Sequence, residues 1–126
     1  MKWLSKEDII YIHYKLILLT GGYEGIRNEG MLDSAINAPL QTFDSIDIYP
    51  TLIDKVIRLS YSLTCNHPFF DGNKRVGAMV LTIILDENGI KTDFTNENLV
   101  DIFVKLAANE LTYEAFAALV KSHIIY

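Results

Sequence analysis

The chain has 126 residues, 50% of them hydrophobic, and a formal net charge of −5. That length suits one domain, residues 1–126, burying roughly two-thirds of the surface its unfolded chain exposes, and the acidic balance argues against sequence-independent binding to DNA or RNA. No apolar run of about 18 residues is present, so no membrane span is expected; with no apolar signal core near Met1 and one cysteine, the expected location is the cytoplasm.

Ser5 with Asp8 resembles a capping box and opens a helix whose stripe is Ile9, Ile12, Leu16 and Leu19, widened by Ile10 and Ile17. His13 falls on the edge of this helix, where a hydrogen-bonded structural role is the expectation. Gly21 to Gly30 reads as a loop, because adjacent glycines cost about 1 kcal/mol each inside a helix. Arg27 within it is expected to pair with Glu24, Glu29 or Asp33, with a phosphate as its other use. A short helix follows, burying Leu32, Ala35 and Ile36 and stopped by Pro39. Leu40 to Pro50 has no helical period. Thr42-Phe43 and Ile46-Asp47-Ile48-Tyr49 alternate as a short extended hairpin does. Its free edge suits the docking of an extended segment of another protein, against the alternative of an ordinary surface loop.

Thr51 with Asp54 starts the next helix, with Leu52, Val56, Leu59 and Leu63 facing the core beside a second stripe of Ile53, Ile57 and Thr64. Lys55 and Arg58 are expected to be solvated. Cys65 and His67 are close in sequence but two apart across a helix end, so a buried, inert cysteine is expected rather than a nucleophile pair. Gly72 to Asn88 is apolar on nearly every side and belongs at the centre of a bundle, Gly77 letting a neighbour approach closely. Ile90 to Phe94 reads as a short extended piece. Thr95 caps a helix with Leu99, Ile102, Phe103 and Leu106 inward; Thr112 caps the last, with Phe116, Leu119, Val120 and Ile124 inward. His123 suits a helix C-terminus and needs no further role.

Between the two central helices lies His67-Pro68-Phe69-Phe70-Asp71-Gly72-Asn73-Lys74-Arg75. Pro68 disfavours helical dihedrals at His67 and leaves its imidazole on a loop. Asp71 and Gly72 occupy N-cap and first helical positions. Lys74 and Arg75 then stand in a first turn that carries about half a positive charge and prefers acids by roughly 0.3–1 kcal/mol each. Free N–H groups, a helix dipole and two cations describe a phosphate site. The Asp71 carboxylate beside it suits Mg²⁺ on those phosphates, and the imidazole of His67 suits removal of a proton from an incoming hydroxyl.

These residues resemble the signature of the Fic/Doc family, and the Lys-Arg ending resembles its Doc branch. His13, the Gly21-Gly22 turn, Gly25 and the run Asp33-Ser34-Ala35 to Pro39 are similar to Doc proteins too. The resemblance implies an all-α, compact helical bundle around the motif-bearing helix, with a short β-hairpin flap that holds target segments. It also implies a small bacterial toxin with a cognate antitoxin, whose disordered tail folds against the domain. The implied activity is kinase-type transfer of the γ-phosphate of ATP, with Mg²⁺, to a hydroxyl on a translation elongation factor. His67 is then the general base and Asp71 the metal ligand. Gly72 and Asn73 form an anion hole from backbone and amide donors, and Lys74 and Arg75 hold the transferred and leaving phosphates.

Fic-type AMP transferases usually carry Gly-Asn-Gly-Arg and a second arginine three positions later. Here Lys74 replaces the second glycine and Ala78 that arginine, which favours phosphate transfer and leaves AMP transfer as the alternative. A non-catalytic module holding a nucleotide or peptide is the third reading; the presence of both His67 and Asp71 disfavours it. Thr20 to Gly25 formally fits the inhibitory-helix pattern of self-inhibited Fic proteins, but its paired glycines make it a turn.

Overall fold

The computed structural model describes residues 1–126, which form six α-helices and two small antiparallel strand pairs. In chain order these are α1 (Lys6–Thr20), α2 (Glu29–Asn37), a 3-10 turn (Ala38–Leu40), β1 (Thr42–Phe43), β2 (Ile46–Asp47), α3 (Leu52–Cys65), α4 (Asn73–Glu87), β3 (Lys91–Thr92), α5 (Asn96–Ala107), α6 (Tyr113–Ser122) and β4 (Ile124–Ile125). The expected all-α bundle with a short hairpin is what the chain forms. No helix is long and apolar enough to cross a membrane.

Local chemistry sets most helix starts. Ser5, Asn28, Thr51, Thr95 and Thr112 each accept a hydrogen bond from a first-turn N–H, and Ser5–Asp8 is a reciprocal capping box. α4 is the exception, since its cap Gly72 has no side chain to offer.

α4 runs through the middle, packed along α3 and touched by α1 and α5. It buries Val76, Gly77, Val80, Leu81, Ile84 and Leu85. The approach of α3 and α4 is closest at Gly77. A Cβ there would overlap Thr64 Oγ1 and lie 3.1 Å from the Ser60 carbonyl. The space is used for polar contacts: Ser60 Oγ donates to the Gly77 carbonyl at 2.8 Å, and Thr64 Oγ1 donates to Ser60 O at 2.9 Å.

β1 and β2 pair Thr42 with Asp47 and Phe43 with Ile46 across Asp44-Ser45, both at positive φ. Exposed Phe43 and Ile46 leave this flap with little apolar burial, and its base holds it. Lys55 Nζ binds Asp47 at 3.2 Å and the Tyr49 carbonyl. Arg58 lies 5.0–5.6 Å from the ring centres of Tyr49, Tyr61 and Tyr113, within cation–π range. Burial in this cluster pushes the Tyr113 hydroxyl up to about 12. The expectation that Lys55 and Arg58 are solvated therefore fails: both use their length to tie the flap to α3.

Three other expectations change. On α1 the inward line is Ile9, His13 and Ile17, spaced by four, while Leu19 is 80% exposed. α6 stops at Ser122, and buried Ile124 belongs to β4, which pairs Thr92 with Ile124 and Lys91 with Ile125. His123 closes that corner, its Nδ1 at 2.8 Å from Asp93 Oδ1 and its ring stacked on Phe94.

Candidate active site

His67 has φ 49°, a left-handed conformation that costs a non-glycine residue about 1–3 kcal/mol. Pro68 excludes the helical alternative, and Arg27 holds the result. Arg27 Nε donates to the His67 carbonyl at 2.8 Å and its Nη2 to the Asn66 carbonyl at 3.3 Å. The backbone N–H groups of Arg27 and Asn28 both donate to Pro68 O, at 2.8 and 3.1 Å. The expected ion pair is not formed, and Lys6 takes both Glu29 and Asp33. Arg27 is a clamp on the loop that carries the imidazole.

The rest of the loop is fastened from within the core. Ile26 forms a bridge with Phe69, and Phe70 N–H donates to Gly25 O at 3.2 Å. Buried Phe69 stacks on His13 with ring centres 3.8 Å apart and 7° between planes. His13 Nε2 is 2.7 Å from the Asp71 carbonyl, so the neutral ring donates there. Burial lowers the His13 pKa, which keeps that donor uncharged. Asn73 clasps the same turn: its Oδ1 accepts from Phe69 N and its Nδ2 donates to Phe69 O, both at 3.0 Å. The Asn73 carboxamide is thus engaged inside the loop, and what this residue offers an anion is its backbone N–H.

Gly72, at φ 77°, is the N-cap rather than the first helical residue. The first-turn N–H groups of Asn73, Lys74 and Arg75 therefore have no side-chain cap, which is the physical content of an anion site. Asp71 lies just before them. Its Oδ1 accepts from Gly72 N at 2.8 Å and lies 3.4 Å from Arg75 Nη2; its Oδ2 accepts from Tyr23 N at 3.4 Å. The Gly72 N–H first, then that of Tyr23, hold this carboxyl below the usual range, so it is ionised. Gly22 permits the approach, since a Cβ on it would sit 2.5 Å from Asp71 Oδ2.

Arg75 Nη1 donates to Thr20 Oγ1 and to Gly21 O at the end of α1. Lys74 is exposed, and the ion pair at this end of α4 belongs to Arg75. His67, Asp71, Gly72, Asn73, Lys74 and Arg75 all line one cleft of about 330 Å³, with Phe70 and Ala107 completing it. Ala107, Arg27, His13 and Thr20 are the contributors that local sequence patterns did not reveal. Each reaches the site from a distant segment; His13 was marked only by its similarity to Doc proteins, and Arg27 was expected on an acid or a phosphate rather than on the loop carbonyls.

No cluster of three metal-ligating side chains exists, so a cation here would rest on Asp71 alone among protein groups. That fits Mg²⁺, which commonly takes one or two carboxylates and completes its shell with phosphate oxygens and water. It does not fit a metal held by the protein without a substrate.

A family model described as the Fic/DOC family matches residues 3–85. The chain is also similar to "Toxin Doc" of Mycolicibacterium smegmatis (strain ATCC 700084 / mc(2)155), 31% identical over 93% of this chain and 89% of that protein. The matched segment contains α1, the clamped loop and the uncapped turn of α4. The chain belongs to the Fic/Doc family, in its Doc branch.

Proposed function

We propose that this protein is the toxin of a toxin–antitoxin pair, a kinase-type transferase that moves the γ-phosphate of ATP to a hydroxyl on another protein. The observation that carries the proposal is the cleft, in which an imidazole on a clamped, strained loop stands beside an uncapped helix N-terminus bearing Lys74 and Arg75. The coarser statement, a family of nucleotide-dependent transferases, follows from membership. The similarity to a protein named as a Doc toxin supports the finer one.

In this mechanism His67 takes the proton of the target hydroxyl as its oxygen attacks the γ-phosphorus. The bond from that phosphorus to the β–γ bridging oxygen breaks, and ADP leaves. The N–H groups of Asn73, Lys74 and Arg75, with the two cationic side chains, stabilise the charge on the phosphates. Mg²⁺, held at Asp71, would neutralise phosphate charge when bound. A cognate antitoxin is the implied partner, a translation elongation factor in the cytoplasm the implied target, and the β1–β2 flap the implied seat for the target segment.

Incubation with an elongation factor and ATP labelled on either the α- or the γ-phosphate tests this. Kinase activity transfers the γ label alone and adds about 80 Da, whereas AMP transfer would carry the α label and add about 329 Da. Transfer of the α label by the unmodified protein would leave the AMP-transferase reading standing in place of this one.

A further inference from the structure

Phe70 borders two depressions at once. One is the cleft at His67, where Lys74 and Arg75 supply positive charge; the other is an open depression of about 430 Å³, ample for one long side chain, whose remaining walls are Tyr23 and Glu24. Tyr23 and Phe70 are 79% and 61% exposed, and neither ring packs on another aromatic or under a cation of the chain. Glu24 is exposed and forms no salt bridge. Arg27 and Arg75 are engaged elsewhere, the first on the carbonyls of Asn66 and His67, the second on Thr20, Gly21 and Asp71. The glutamate of the Thr20–Gly25 pattern therefore stands without a partner, between two uncovered rings. The depression is also fixed to the loop that carries His67. Phe70 N–H donates to Gly25 O at 3.2 Å, a Cβ on Gly25 would lie 3.6 Å from the Phe70 ring, and Tyr23 N–H donates to Asp71 Oδ2 at 3.4 Å.

We infer that this depression receives a lysine or arginine side chain of the protein substrate, one or two residues away from the hydroxyl presented to His67. The inference rests on the reading of His67 as the acceptor end of a protein-modifying site and deepens it by naming a substrate class, a hydroxyl flanked by a basic residue. The occupant is argued from charge complementarity. A cation suits an unpaired carboxylate and the faces of two aromatic rings, whereas a phosphate or an acidic segment meets Glu24 as like charge. Adjacent residues of an extended segment are about 3.3 Å apart, so a chain with its hydroxyl at His67 passes Phe70 within one or two residues. Exposed ion pairs and exposed cation–π contacts are each weak, so the seat sets a preference and not an absolute requirement.

The test uses alanine-based peptides with one threonine and, one or two residues to either side of it, arginine, its neutral isostere citrulline, or glutamate. Transfer from ATP labelled on the α- and γ-phosphates is followed, together with the ring resonances of Tyr23 and Phe70. At one of these spacings arginine should exceed citrulline by about fivefold in kcat/KM, with glutamate lowest. Glu24→Gln should bring the arginine peptide down to the citrulline level, and Glu24→Lys should reverse the order of arginine and glutamate. Should no peptide accept label, the ring resonances decide, shifting with the arginine peptide and not with the glutamate one. Equal rates for arginine and citrulline at every spacing, or equal or absent ring shifts where nothing is transferred, overturn the seat. A preference for arginine that survives Glu24→Gln overturns it as well, by placing recognition elsewhere. Weaker ATP binding in Glu24→Gln would give the depression to the nucleotide and have the same effect. The kinase reading is judged separately: transfer of the α label with the arginine preference intact defeats that reading and leaves the seat standing, while γ transfer without the preference does the reverse.

Discussion

His67 is positioned through its backbone, not its ring. The ring is exposed, while its carbonyl and those of Asn66 and Pro68 are all held by Arg27 or Asn28. Truncating the ring should therefore be silent structurally and costly chemically. His67→Ala should unfold at the same denaturant concentration as the parent and transfer phosphate roughly 10²–10⁴ times more slowly, the usual share of a general base. A near-normal rate would remove His67 from its role. Arg27→Ala should behave differently, lowering stability and transfer together, because two loop carbonyls lose their donor and the strained φ of His67 loses its brace. An Arg27→Ala protein with unchanged transfer would show that the remaining backbone bonds suffice to hold the loop.

At the level of elements, the α3–α4 contact and the flap each depend on one local feature. Alanine at Gly77 improves helix propensity by about 1 kcal/mol, yet its methyl would strike Thr64 Oγ1. Overpacking of this kind costs roughly 1–3 kcal/mol, so Gly77→Ala should destabilise in a urea titration and Gly77→Ala with Thr64→Ala should recover part of the loss. In the flap, Ile48 N–H already donates to Gln41 O and Phe43 faces Ile46 across the turn, so alternation leaves the Asp47 N–H pointing out of the pair. Asp47→Pro should weaken target modification while ATP affinity holds, with Asp47→Ala as the control for the lost Lys55 pair. Equal loss of ATP binding would indicate misfolding and sink strand docking.

The same elements show what the sequence could and could not convey. Caps at Ser5, Thr51, Thr95 and Thr112, the loop before α4 and the close approach at Gly77 were readable, because each is a local rule acting on adjacent residues. The Thr92–Ile124 pairing, the Arg58 tyrosine cluster and the Arg27 clamp were not. Each joins segments far apart in the chain, and a long cation has the same local signature whether it ends in water or on a carbonyl.

Across the whole molecule, acid should act in two stages, because the groups with shifted titration sit in different layers. His13, between α1 and the loop before α4, is buried and its pKa lies below the usual 6.5. The unfolded chain then binds the proton first, so this contribution to stability is complete above about pH 6.5 and declines as pH falls through that value, levelling once the folded ring also protonates. Asp54, between α3 and α6, has its pKa lowered although burial alone would raise it; the bonds from Lys121, at 2.9 Å, and Thr51 outweigh that burial. Asp71 is lowered by the Gly72 N–H and, more weakly, by Arg75. For both carboxylates the sign is the other familiar case: stability is present above the unfolded value of about 3.9 and lost as pH falls through the folded one. Urea midpoints measured from pH 8 to pH 3 should thus show a shallow decline beginning near pH 6.5 and a steeper one below pH 4. His13→Gln, which keeps a donor for the Asp71 carbonyl but does not titrate, should flatten the upper stage and leave the lower one. Asp54→Asn should reduce the lower stage alone. An upper stage that persists in His13→Gln would assign it to another group and undo the argument that a neutral His13 holds the loop against α1.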